Sequence, residues 1–181
     1  FTSEPLLRDG TIDNECLQGL QATVALLRSL GHDVVEATPP LYKAKLAEGY
    51  LLRIAAATAG EVFESERILG RRMKLGDFET ETWSLARLGQ SFSAGDLDSA
   101  NRLLYAQTRI FEQWMQQYDV FLTPTLAAPP VPFGEFHLKG VEKLLSPIAK
   151  RLPLGPLVHF LPVLSHLAAQ SFNWVVSTPV M

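Results

Sequence analysis

The run Val120-Phe121-Leu122, closed by Thr123-Pro124, constrains this chain more than any other stretch. An apolar run without polar alternation suits a strand covered on both faces, as in a sheet with helices above and below it. Asp119 can stay in water where the run begins, and Pro124, Pro129 and Pro130 stop a ladder because proline has no N–H to donate. Residues 118–133 therefore read as one core strand leading into a rigid loop.

Residues 1–40 read as a βαβ unit. Phe1-Thr2-Ser3 resembles the tail of a strand, and Glu4-Pro5 and Asp9-Gly10 are turn material. Asp13 is a good N-cap, with Glu15 in the first turn where the helix dipole favours an anion. Leu17, Leu20, Val24 and Leu27 recur at steps of three and four, the spacing of an amphipathic helix, and Gly31 closes it by taking positive φ. Asp33-Val34-Val35-Glu36-Ala37 follows as a strand ended by Thr38-Pro39-Pro40. Connection length and handedness make the strand pair parallel. Only Gly10 falls between Ser3 and Asp13, so the Gly-rich turn of a dinucleotide site is absent there.

Residues 41–117 read as a helical layer. Leu46, Tyr50, Ile54, Ala57 and Glu61 mark one long helix, with Val62, Ile68 and Leu69 as further apolar contacts. Gly49 and Gly60 each weaken it by about 1 kcal/mol relative to alanine, and close packing against another helix is the expected compensation. Gly70 marks its stop, and Arg67, Arg71, Arg72 and Lys74 are expected as a solvated cluster at the negative end of the dipole. Phe78, Trp83, Leu85 and Leu88 suggest a shorter helix. Ser93 with Asp96 resembles a capping box that opens a helix through Leu103, Leu104, Ile110, Phe111 and Trp114 to Gln117.

Beyond Pro130 the character changes. Residues 134–170 read as a variable apolar insert and 171–181 as the start of a core strand. No Asp, Glu, Lys or Arg follows Arg151, yet Pro153, Pro156 and Pro162 interrupt the tail, and His159, His166, Gln170 and Asn173 add polar groups. Lipid would leave those groups unsatisfied, which argues against a membrane span. The start at Phe1 and the apolar finish at Met181 suggest a piece of a longer polypeptide.

The 181 residues suffice for one domain with a real core, and a composition 47% hydrophobic and 19% charged is that of a packed globular protein. A formal net charge of −3 without a Lys/Arg stripe gives no reason to expect nucleic acid. Cys16 is the only cysteine, so no internal disulfide can form, and a reducing, cytoplasmic setting is expected.

No catalytic constellation assembles from these residues. His159 and His166 are separated by Pro162 and have no nearby carboxylate or thiol, so no metal is expected, and no cofactor either. His32 reads as a partner of the helix dipole, Asp96 and Asp98 as a helix-start pair, and Cys16 as a core contact without a placed base. The G-x-S-x-G elbow is absent.

The order of elements carries a resemblance. Leu26-Leu27-Arg28-Ser29-Leu30-Gly31-His32 followed by Val34-Val35-Glu36, and later Tyr118-Asp119-Val120-Phe121-Leu122-Thr123-Pro124-Thr125 with Ala128-Pro129, resemble the C-terminal half of amidase signature enzymes. Leu69-Gly70-Arg71-Arg72 and Thr82-Trp83 are similar too; the likeness covers most of 13–133, is patchy in 134–167 and returns faintly at 172–181. Where the family usually reads Phe-Asn, two residues, then Gly-Gln-Pro-Ala, this chain has Phe172-Asn173-Trp174-Val175-Val176-Ser177-Thr178-Pro179-Val180.

The resemblance implies an α/β fold, here a partial sheet of few strands with a βαβ start and a large helical layer. It implies carboxamide hydrolysis through an acyl-enzyme, with a nucleophilic Ser, a second Ser in a cis peptide bond and a Lys base. No Gly-Gly-Ser-Ser-Gly stretch is present, and Lys43, Lys45, Lys74, Lys139, Lys143 and Lys150 lie in contexts unlike that base, so no catalytic residue carries over. Thr123, Thr125, Phe172, Asn173 and Trp174 remain as substrate-pocket candidates. The expected partners are an N-terminal catalytic half of the same protein, a small amide substrate of the full enzyme, and another copy of the chain pairing along an exposed sheet edge. The insert is expected to act as a substrate lid or membrane-facing cap. A catalytically silent binding or scaffold module, or a protein like an amidotransferase A subunit, is the alternative.

Overall fold

The computed structural model describes residues 1–7 and 10–130. Its helices are α1 (Asn14–Ser29), α2 (Lys43–Leu69), α3 (Thr80–Gly89) and α4 (Ala94–Met115). The described residues fall into two compact units, one of 1–48 with 102–130 and one of Gly49–Asn101. The expected insert and the expected strand at 171–181 lie outside the described residues.

In the first unit α1 follows the expected plan. The Asp13 side chain accepts from the Glu15 N–H at 2.8 Å, which satisfies one of the orphan donors at the helix start. Leu20 and Val24 are buried, and Gly31 leaves the helix with φ of 92°. The Arg28 side chain then donates to the Val34 carbonyl, at 2.6 Å from Nη2, and closes the turn into the extended segment that follows.

That segment meets the start of the chain. The Phe1 amine donates to the Val35 carbonyl at 2.7 Å, and the Ala37 N–H donates to the Phe1 carbonyl at 2.8 Å. One residue bonded to the neighbours on either side of Glu36 is the pattern by which parallel chains pair. Thr2 turns the other way, its N–H donating to the Leu122 carbonyl at 3.2 Å. Three extended segments therefore lie side by side with Phe1-Thr2-Ser3 in the middle. Among the described residues they do not form strands, because each junction holds one or two backbone bonds and no continuous ladder.

Val120 departs from the expected two-sided burial, since it is 79% exposed. Phe121 supplies the reason. Its ring packs edge-on against Phe111 and Trp114 of α4, at centroid distances of 5.6 and 5.2 Å, so the run is anchored from one face. Alternation then turns the neighbouring side chain to the opposite, open face.

The first unit has small cores of its own. Leu7, Leu46 and Leu104 cluster with Leu41 against them, and Ile12 packs with Ala127 beside Cys16 and Leu17. Gln107 is buried on α4, and its side-chain oxygen accepts from the Tyr42 N–H at 2.8 Å just before α2 begins.

In the second unit α2 runs unbroken past Gly60 and buries Val62, both as expected, but its stripe there is only partly the expected one. Ala55, Ala59 and Val62 are buried, whereas Ala57 and Glu61 are exposed, as are Ile68 and Leu69. The small residues are selected by a close neighbour. A Cβ on Gly89 of α3 would lie 1.9 Å from the Ala55 carbonyl oxygen, so glycine is what lets that backbone approach. Gly60 plays no such part, since a Cβ there would meet nothing within 4 Å. Val62, Met73 and Ala86 complete the core, with Phe78 and Trp83 packed against it.

Three members of the basic cluster at the end of α2, Arg67, Arg71 and Arg72, are ion-paired as well as exposed. Arg67 donates to Glu64 at 2.8 Å, Arg71 to Asp77 at 2.8 Å, and Arg72 lies 3.7 Å from Glu66. The turn at 70–77 has Gly70 and Gly76 at positive φ, and two carboxylates hold it. Glu66 accepts from the Met73 N–H and Asp77 from the Lys74 N–H. The Arg71 guanidinium and then that N–H hold the Asp77 carboxyl down at about 2. The Ser93 and Asp96 capping box forms as expected: Asp96 accepts from the Ser93 N–H at 2.8 Å and its own N–H donates to the Ser93 Oγ at 3.1 Å.

Candidate functional site

The loop that carries Thr123 and Thr125 is held at both ends. At one end the Leu122 carbonyl accepts from Thr2, with Phe121 seated in the Phe111, Trp114 and Tyr118 aromatic group. At the other, the Ala127 carbonyl accepts from the Asp13 N–H at 2.7 Å while the Ala127 methyl packs on Ile12. Because Asp13 is also the N-cap of α1, one residue ties the loop to the helix start. Pro124, Pro129 and Pro130 stiffen the path between and beyond these ties.

Thr123 is half-buried and its hydroxyl donates to the Pro124 carbonyl at 3.2 Å, whereas Thr125 is exposed. The two candidates share one rigid loop, but only Thr123 is held within it. Phe172, Asn173 and Trp174 lie outside the described residues, so of the five pocket candidates only Thr123 and Thr125 are described.

Hydroxyl and charged groups line the same extended segments. Thr2 is fully buried, its Oγ1 lies 2.8 Å from Thr38 Oγ1, and it accepts from the Glu4 N–H at 3.1 Å. The Ser3 hydroxyl donates to Glu36. Lys43, at the start of α2, pairs with Glu4 at 2.9 Å. The contacts of Thr2 with Thr38, Ser3 with Glu36 and Lys43 with Glu4 join residues more than thirty positions apart, and periodicity could not have found them. The available signal was the presence of Thr2, Ser3 and Thr38 in segments that otherwise read as core. Gln107 was likewise missed, although a Gln three residues after Leu104 and four before Phe111 sits in the register of the apolar stripe of α4.

Cys16 is a core contact, as its sequence context suggested. Burial pushes its thiol up from the ordinary value, and the Asp13 and Glu15 carboxylates push the same way, which disfavours the nucleophilic thiolate. Among the described residues no group of three or more His, Cys, Asp or Glu is placed to hold a metal ion. No helix among them is long and apolar enough to cross a membrane.

The fold recurs in a solved structure. The chain superposes on the structure of 6-aminohexanoate cyclic dimer hydrolase with a TM-score of 0.67 at 22% identity, over 95% of this chain and 35% of that one. The likeness establishes a shared fold. Sequence settles the family: the Amidase family model matches residues 6–150, and the chain belongs to that family, the amidase signature hydrolases.

Two curated relatives sit beside it. A lipoamidase of Enterococcus faecalis is 29% identical over 118 residues, covering 65% of this chain and 16% of its own. A 6-aminohexanoate-cyclic-dimer hydrolase of Pseudomonas sp. (strain NK87) is 27% identical over 141 residues, covering 74% of this chain and 28% of its own. The matched stretches thus span less than a third of the length of these relatives.

Proposed function

We propose that this chain is the C-terminal portion of an amidase that hydrolyses a carboxamide C–N bond through an acyl-enzyme. It supplies scaffold and one wall of the pocket, and no catalytic residue. The observation that carries the reading is the family match over 6–150 in a chain without the Gly/Ser-rich stretch where the Ser-Ser-Lys set belongs. The partner is an N-terminal catalytic half of the same protein, and the substrate of the joined enzyme is a small amide. The setting is cytoplasmic.

The wall is the loop at 123–125, whose backbone is fixed by Thr2 and Asp13. A group that touches substrate must hold its place to within a fraction of an ångström, and a doubly tied, proline-rich loop meets that need. Phe172, Asn173 and Trp174 are assigned to the same pocket. Among the described residues Lys43 is paired with Glu4, and Lys45 with Glu48 at 2.8 Å, so neither has the isolated setting of a neutral amine base.

A fluorophosphonate probe tests the reading. The 181-residue chain should give no adduct by intact mass, and the polypeptide that joins it to a Gly/Ser-rich Ser-Ser-Lys half should give one. An adduct on the 181-residue chain itself overturns the assignment. Absence of labelling in the joined polypeptide favours a silent scaffold module instead.

A further inference from the structure

We draw no further inference here: the strongest candidate, the open face of the extended segment at 120–122, where Val120 is 79% exposed while Phe121 is anchored from the opposite side, carries nothing because nothing in the structure shows what covers it.

Discussion

The two units are held together by opposite means. In the first, the decisive contacts join residues far apart along the chain: Phe1 to Val35, Thr2 to Leu122, Tyr42 to Gln107. In the second, the described residues Gly49–Asn101 form a continuous stretch whose turn is braced by partners six or seven residues away, such as Arg71 with Asp77 and Met73 with Glu66, and its longer-range contact, Ala55 with Gly89, is helix against helix. Contacts that close long loops must overcome more chain entropy before they stabilise anything. The first unit therefore adds polar ties between distant, non-helical segments to its small apolar cores. The second depends on a close helix crossing.

The sharpest way to break the comparison is Gly89→Ala. Its Cβ would sit 1.9 Å from the Ala55 oxygen and 2.4 Å from the Ala55 carbon, both backbone atoms that no side-chain rotation can move away. Overpacking of this kind costs about 1–3 kcal/mol, and denaturant unfolding should register a loss of that size. Gly60→Ala is the paired control, because its Cβ meets nothing, and it should gain up to about 1 kcal/mol from helix propensity. Equal responses at the two glycines would contradict the close crossing of α2 and α3.

Next in size is Gln107→Leu in the first unit. It keeps the apolar volume of α4 but removes the acceptor of the Tyr42 N–H, and an unsatisfied donor in a part-buried site costs about 1–3 kcal/mol. Hydrogen exchange at Tyr42 should accelerate with the loss of stability; unchanged exchange would place the amide on water. Ser93→Ala comes below it, at about 1 kcal/mol, since it removes the side-chain half of the cap on α4. Asp96 can still accept from the Ser93 N–H, so the helix should persist by circular dichroism with a lower melting temperature.

The smallest effect concerns acid. Asp77 has its carboxyl held at about 2, below the ordinary value of about 3.9. A depressed carboxyl contributes its full stabilisation above the unfolded value and loses it as pH falls through the folded one. The difference in melting temperature between the parent chain and Asp77→Asn should therefore be constant above about pH 5 and shrink between about pH 4 and 2. A difference unchanged across that window would mean that the pairing with Arg71 is not made in solution.

How much of this was legible varied by residue. Asp13, Gly31, Gly70, Ser93 and Asp96 were readable because caps and positive-φ stops are local chemistry, complete within a few residues of sequence. Ala55 and Ala59 were not legible as the buried positions of α2 because alanine carries no strong hydrophobic signal, and Ala55 packs against a glycine 34 residues away. Thr-Pro-Thr made the loop at 123–125 legible, while the ties to Thr2 and Asp13 that hold it were invisible. Backbone bonds leave no mark on composition.

By itself the amino-acid order determined the helices, their ends and the family, because propensity, capping and motif succession are properties of neighbouring residues. Folding in three dimensions decided which face of α2 is buried, which side of 120–122 stays open, and what holds the threonine loop in place. Each of those depends on backbone from a distant part of the chain arriving within bonding or contact distance. That condition belongs to the tertiary structure and to no local window of sequence.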